Sequence, residues 1–199
     1  MIGNLALAFG PWLVRLSDVG PSAAGFWRLA LALPFLLLFA RVMGQPAHWP
    51  GRAAAWGIAV AALFFAADLA AWHTGIHLTK LGNATLFGNV ASFAFAGYGL
   101  WLARRLPTGL QAAELVLAAV GSALLMAGSA ELSARYLRGD LLALFAGLLY
   151  AGYLIAVERV RGTMAPLPIL ILASAFGAAM LLPFAAATGE TICHSSGAR

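Results

Sequence analysis

The chain has 199 residues, of which 62% are hydrophobic and 10% are charged. Soluble domains carry about 25% charged residues, so this composition excludes a soluble globule whose surface is covered by charge. The net charge of +5 comes from Lys and Arg residues that are scattered between apolar runs, which is typical of membrane loops and not of a nucleic-acid-binding surface. The single cysteine, Cys193, excludes an internal disulfide and a metal site built from several cysteines.

Seven apolar segments follow one another along the chain, separated by short loops. They cover residues 1–16, 21–40, 53–78, 83–103, 110–130, 141–157 and 166–187. The loops contain turn or cap signals, which include Pro50-Gly51, Leu106-Pro107-Thr108 and Gly139-Asp140. Segments of about 20 residues suit helices that cross a bilayer, whereas membrane barrels use strands of about 10 residues. The sequence therefore predicts an all-α fold, a polytopic transmembrane bundle of about seven helices.

Lys and Arg residues are more frequent in the loops that follow even-numbered segments. Those loops hold Arg41, Arg52, Arg104, Arg105, Arg159 and Arg161, whereas the loops after odd-numbered segments hold Lys80, Arg135 and Arg138. Cation-rich loops of membrane proteins lie in the cytoplasm. We therefore expect the even-numbered loops and the N-terminus to be cytoplasmic.

Arg28 lies inside the second segment, and only the uncharged residues 29–40 separate it from Arg41. A helix of that length extends about 18 Å, which is less than the hydrocarbon core of about 30 Å. The guanidinium must therefore lie within the membrane or reach its edge by snorkelling. Snorkelling is one interpretation, and an ion pair with a carboxylate on another helix is the alternative.

Asp68 is the only charged residue between Ala53 and Thr79 and lies near the middle of the third segment. A carboxylate there costs roughly 2.5–3.5 kcal/mol on insertion scales, so it normally faces a bundle interior or a wet cavity. At helical spacing Asp68 shares a face with Trp72 and Gly75. A carboxylate beside an indole can bind a cationic or polar solute or carry a proton. The alternative is a hydrogen bond to a neighbouring helix that serves packing alone.

His73 and His77 are four residues apart, a spacing that can place two imidazoles on one metal ion. They lie on roughly the opposite side of the helix from Asp68, and no glutamate follows His73 as it does in a metalloprotease motif. The sequence has no Gly-rich phosphate loop and no nucleophile elbow. We therefore expect no enzymatic activity, no metal and no cofactor, and an intramembrane enzyme based on the two histidines is the alternative.

Polar residues of the fourth and sixth segments are further candidates for lining a cavity. Asn89 belongs to a stripe of small and polar residues, which either packs closely against another helix or lines a cavity. Tyr150 and Tyr153 share a face near mid-span, away from the interfaces where aromatic side chains are usual anchors. Trp12, in the first segment, is a similar candidate.

Residues 139–161 resemble the helix that opens the second repeat in the drug/metabolite transporter superfamily, EamA type. Arg28 resembles the arginine near the start of the second helix of that family. The stretches 66–73 and 83–89 resemble parts of its third and fourth helices. The resemblance covers nearly all of residues 1–187. Many relatives have a proline in the fourth helix where this chain has Ser92, so the resemblance does not imply a kink there.

The resemblance implies two inverted five-helix repeats with a substrate cavity between them. It assigns residues 1–130 to the first repeat, residues 139–187 to the first two helices of the second, and residues 188–199 to a polar tail. Pro21 and Pro166, at the starts of the second and seventh segments, are equivalent in such an arrangement. Helices eight to ten of the family have no counterpart, so we expect a truncated member with an incomplete inverted five-plus-five repeat.

The implied function is secondary transport of small metabolites or drug-like solutes across the bacterial inner membrane by alternating access, with proton coupling as an option. The expected substrate contacts are Asp68, Trp72, Asn89, Tyr150, Tyr153 and Trp12. The expected partners are a small-molecule substrate and the lipid bilayer, with further copies of the chain as an option, and no nucleic acid. The alternative is a non-transporting membrane fragment, or an assembly subunit that needs a partner to complete the bundle.

Overall fold

The computed structural model describes residues 19–45, 48–129 and 133–192, except for the side chains of residues 125–129. Regular structure in this part of the chain is entirely helical, which confirms the predicted all-α fold. The helices are α1 (Pro21–Val42), α2 (Arg52–Leu78), α3 (Leu81–Gly88), α4 (Val90–Leu102), α5 (Gly109–Ser129), α6 (Leu137–Val160) and α7 (Pro166–Ala187). The first predicted segment, with Trp12, lies outside the described residues.

Four of these helices, α1, α2, α6 and α7, are long and apolar enough to cross a membrane. Large apolar side chains cover much of the exterior, and Phe35 and Trp56 are 75% and 76% exposed. Water disfavours so much exposed apolar surface, whereas lipid accepts it. Length, composition and exterior are therefore those of an integral membrane protein.

Among the described helices, α2 and α6 make the most extensive contact. The two helices are antiparallel, because Gly57 near the start of α2 meets Val160 at the end of α6. Near the other end, a Cβ added to Gly75 would lie 3.2 Å from the Gly139 carbonyl oxygen and 3.3 Å from the Ala143 nitrogen. Small residues permit this approach of one backbone to another, so glycines set the distance between the two helices.

α1 pairs with α7, and each helix has 22 residues and begins with a proline. Proline suits this position because the first N–H of a helix has no intrahelical partner. The pair is antiparallel, with Gly25 against Leu181 and Leu29 against Gly177. Leu29 and Leu181 also pack with Leu69 of α2 in one buried cluster. Equal length and antiparallel packing are what the inverted repeat requires, and the repeat itself stays a prediction.

α3 and α4 are separated by Asn89 alone, so together they form one interrupted helix. The sequence predicted an unbroken fourth segment, and Ser92 gave no reason to expect a kink. The interruption lies where α6 comes closest, since a Cβ added to Gly147 would lie 2.9 Å from the Phe87 carbonyl oxygen and 3.0 Å from that of Gly88. The break therefore coincides with a contact between backbones.

The start of α6 differs from the prediction. Gly139 and Asp140 were expected to form a turn before a segment that begins at residue 141, but α6 begins at Leu137 and includes both residues. Gly139 packs against the backbone of Leu78 and Thr79 at the end of α2. This tertiary contact outweighs the turn preference of the two residues, because a glycine inside the helix allows an approach that no other residue allows.

The cations of the even-numbered and odd-numbered loops lie at opposite ends of the bundle. Arg105 and Arg161 line one crevice beside α4 and α5. At the other end, Lys80 Nζ and Arg135 Cζ lie 5.8 Å and 5.7 Å from the centre of the Tyr136 ring. This arrangement is the one that alternating transmembrane segments require.

Candidate functional site

Asp68 lies in the contact between α2 and α6 and is only 9% exposed. It interacts electrostatically with Tyr150 of α6 and with Arg28 of α1. Arg28 is itself exposed, so its charge acts on Asp68 from the edge of the α1–α2 contact. The structure thus brings together a carboxyl group, a guanidinium and a phenol from three helices, near the middle of the predicted membrane span.

Three aromatic rings are stacked beside Asp68. The Phe65 and Tyr153 ring centres are 4.7 Å apart with an interplanar angle of 19°. Tyr153 also stacks on Tyr150, at 5.6 Å and 25°. Tyr153 is buried and Tyr150 is 37% exposed, so the stack ends at Tyr150 with an accessible ring. Of the two predicted tyrosines, Tyr150 interacts with Asp68 and Tyr153 is linked to it through the ring stack, and Phe65 was not predicted.

Trp72 and Asn89 lie next to the break between α3 and α4. Trp72 is half-buried and packs on the cluster formed by Ile76, Ala84 and Ala143. A Cβ added to Gly88 would lie 3.4 Å from the indole nitrogen of Trp72. Asn89, the next residue, is exposed. Trp72 is thus largely a packing residue of α3 and α6, while Asn89 presents an amide at the interruption.

A second polar cluster, which the sequence did not indicate, joins the end of α2, the start of α3 and the first turn of α6. Asp140 is 6% exposed, and its Oδ1 accepts hydrogen bonds from Thr79 Oγ1 at 2.5 Å and from Asn83 Nδ2 at 3.0 Å. A carboxylate is also favourable in the first turn of a helix, where the backbone N–H groups have no intrahelical partners. Asp140 therefore ties three helix ends together.

The two histidines of α2 differ in their surroundings. His73 is 0% exposed, whereas His77 is exposed. No group of three or more metal-ligating side chains occurs among the described residues. A metal site on this pair would therefore lack a third protein ligand in that part of the chain, whereas zinc sites use at least three.

The segment after α7 closes the end of the bundle at which α1 begins. Glu190 Oε2 accepts hydrogen bonds from the backbone nitrogens of Ser22 at 2.7 Å and Ala23 at 3.0 Å. Trp27 Nε1 donates to the Ile192 carbonyl oxygen at 2.8 Å. Because α1 has no side-chain cap of its own, the carboxylate of Glu190 serves as its N-terminal cap.

Sequence reasoning did not identify Phe65, Asp140 or Glu190 as site or contact residues. Phe65 lies one helical turn before Asp68, so helical spacing was a usable signal. Asp140 had a weaker signal, as a carboxylate at the start of an apolar segment. Glu190 had none, because its partners in α1 lie far away in the sequence.

Comparison with protein-family models, with curated proteins and with solved structures found no match. The family resemblance therefore stays a prediction from the sequence. The transport function and the inverted repeat that it implies are likewise predictions.

Proposed function

We propose that this chain is a secondary transporter that moves small metabolites or drug-like solutes across the bacterial inner membrane by alternating access. The main support is Asp68, a buried carboxyl group on a membrane-spanning helix that faces Tyr150 across the contact of α2 and α6. Ionisable groups are expensive inside a bilayer and mark substrate or ion pathways.

In the proposed mechanism Asp68 exchanges a proton for a solute. The ionised carboxylate attracts a cationic or hydrogen-bonding solute, and the protonated form is neutral and releases it. Tyr150 is the exposed end of the aromatic stack, so its ring is the first surface that an arriving solute meets. Arg28 limits the negative potential at Asp68, and the two halves that rock in such a mechanism meet at the antiparallel contact of α2 with α6.

The test is transport by the full chain in proteoliposomes under an imposed proton gradient. The vesicles contain a uniformly ¹³C-labelled metabolite mixture, read by mass spectrometry of the medium, and ethidium as a drug-like cation, read by fluorescence. Asp68→Asn keeps the shape of the side chain but cannot ionise, so we expect its proton-driven flux to fall to background. Glu114→Gln makes the same change at an exposed carboxyl group of α5 and should retain flux.

Two results would count against the proposal. Unchanged proton-driven flux in Asp68→Asn would remove that carboxyl group from the mechanism. Absence of flux for every solute, with the unaltered chain inserted in the vesicles, would contradict transport itself.

A second candidate function is that of an assembly subunit, and the exposure of α5 favours it. α5 makes its main contact with α3, and Leu117, Val120 and Leu124 are 74%, 49% and 69% exposed. Lipid or a second copy of the chain can cover this face. Crosslinking in membranes distinguishes the two. In a Cys193→Ser background, Leu117→Cys should form disulfide-linked dimers if copies pair at this face, and exclusively monomeric protein would eliminate this candidate.

A further inference from the structure

His73 is completely buried on α2, and neither ring nitrogen is hydrogen-bonded to a described residue. The Leu69 carbonyl oxygen, one turn earlier, interacts with the ring without forming a hydrogen bond of good geometry. Leaving a buried polar group unpaired costs about 1–3 kcal/mol, and native proteins contain few such groups. The packing around His73 therefore carries an energetic penalty.

A second buried polar atom without a hydrogen-bond partner among the described residues lies on α1, one turn before the residue that packs against His73. Ser22 is 1% exposed, and its Oγ has no hydrogen-bond partner within the described ranges. Ser22 lies one helical turn before Gly25, on the same face of α1. Gly25 packs against His73, since a Cβ added to it would lie 3.4 Å from the imidazole Nδ1. Movement of α1 away from α2 would therefore expose His73, and Ser22, one turn from Gly25 on the same face of α1, would move with that helix.

The charged groups around His73 oppose a positive charge there. Arg28 of α1 and His77 of α2 both interact with it electrostatically. Asp68 lies on a different face of α2 and is directed at α6, and α7 contributes no ionisable side chain between Pro166 and Ala187. A protonated His73 would thus have two N–H donors without a well-aligned acceptor among the described residues, and a guanidinium nearby. The closed contact accommodates only the neutral imidazole.

We propose that His73 is a proton-binding residue whose protonation separates α1 from α2. In the closed contact the ring is neutral and has no hydrogen-bond partner among the described residues, and in the open contact it is charged and hydrated. Because the proton binds to the open form, lowering the pH raises the open fraction. The proposal does not depend on transport, because the separation of two helices is measured without a substrate.

The test measures exposure of Ser22 in the full chain, reconstituted in lipid nanodiscs. In a Cys193→Ser background, Ser22→Cys is a nearly isosteric reporter at the contact, and a water-soluble methanethiosulfonate reagent labels it. Thr188→Cys, an exposed position, corrects for the intrinsic pH dependence of thiol reactivity. An open-form imidazole that protonates near pH 6.5 predicts that the corrected labelling ratio rises by up to about 30-fold between about pH 8 and pH 5.

Two histidine variants show which imidazole causes the pH dependence of labelling. His73→Gln retains a polar side chain that cannot titrate, so we expect its labelling ratio to be independent of pH. His77→Gln removes the exposed imidazole one turn later and should keep the full pH dependence. A flat ratio in the chain with His73 intact, or an unchanged rise in His73→Gln, would overturn the proposal.

A measurement that leaves His73 intact covers the case in which His73→Gln does not insert. In the triple variant His48→Gln, His77→Gln and His194→Gln, His73 is the one remaining histidine. ¹⁵N NMR of its labelled imidazole reports its protonation. We expect the proton to bind over the same pH range as the rise in labelling. An imidazole that stays neutral while labelling rises would refute the assignment.

Discussion

At the scale of single residues, buried polar groups in this bundle are paired in one place and unpaired in another. Asp140 accepts two hydrogen bonds from neighbouring helices, whereas the ring nitrogens of His73 and the Oγ of Ser22 have no hydrogen-bond partner among the described residues. Fully paired groups fix one arrangement of the helices, and unpaired ones favour a change of arrangement. Asp140 and its partners therefore suit a fixed joint between α2, α3 and α6, whereas the contact of His73 with α1 suits movement.

Asp140→Ala is expected to loosen the fixed joint. It leaves the hydroxyl of Thr79 and the amide of Asn83 without this acceptor, which should lower the free energy of unfolding by roughly 1–3 kcal/mol. Unfolding in mixed micelles with increasing SDS measures the change. Asp140→Asn keeps a side-chain carbonyl oxygen at the same position and should lose less, so equal losses in the two variants would argue against the hydrogen bonds as the cause.

At the scale of helices, glycines decide how closely α2 and α6 approach. A Cβ added to Gly139 would lie 2.6 Å from the Leu78 carbonyl carbon and 2.7 Å from the Thr79 nitrogen. Because backbone cannot yield as a flexible side chain does, Gly139→Ala should force the helices apart and cost about 1–3 kcal/mol. The same SDS titration measures this loss.

Gly99→Ala in α4 is the matched control for that prediction. Nothing lies within 4 Å of a Cβ at Gly99, and alanine is favoured over glycine inside a helix by about 0.5–1 kcal/mol. We expect this variant to be neutral or slightly more stable. Similar destabilisation by the two substitutions would show that helix spacing at Gly139 is not the cause.

The hydrogen bonds from Ser22 and Ala23 to Glu190 lead to a separate prediction about the start of α1. Removing an N-terminal cap costs about 0.5–2 kcal/mol, so Glu190→Ala should destabilise the chain within that range. Glu190→Gln keeps a side-chain oxygen as acceptor and loses only the favourable charge at the helix N-terminus, about 0.3–1 kcal/mol. Hydrogen exchange of the amides of Ser22 and Ala23 reads the cap directly, and unchanged protection in Glu190→Ala would contradict it.

The sequence was most informative where structure depends on local signals. The segment predicted at 166–187 is α7, and the one predicted at 53–78 differs from α2 by one residue, because prolines, glycines and apolar runs mark helix ends locally. The sequence did not reveal the interruption at Asn89 or the early start of α6, because both features accompany contacts with backbone that is distant in the sequence. Helical spacing placed Asp68 and Tyr150 on faces of their own helices but did not show that those faces meet.

At the scale of the whole molecule, the distribution of cations predicts the orientation. The loop that contains Leu106 should be cytoplasmic, and the loop that contains Arg135 should lie on the other side. In a Cys193→Ser background, a membrane-impermeant maleimide added to intact cells should label Arg135→Cys. It should label Leu106→Cys, whose native side chain is 87% exposed, only after the membrane is opened. Labelling of both variants from outside would refute the opposite placement of the two loops.

The contact between Glu190 and α1 also has a consequence for biogenesis. Ser22 and its cap are separated by 168 residues, and ribosomes add about 5–20 residues per second. Synthesis of the residues between Ser22 and Glu190 therefore takes about 10–30 s at that rate, and the N-terminus of α1 has no cap from Glu190 during this time. During this interval water or lipid headgroups must satisfy the first N–H groups of α1, so the N-terminal end of α1 is completed among the last parts of the bundle.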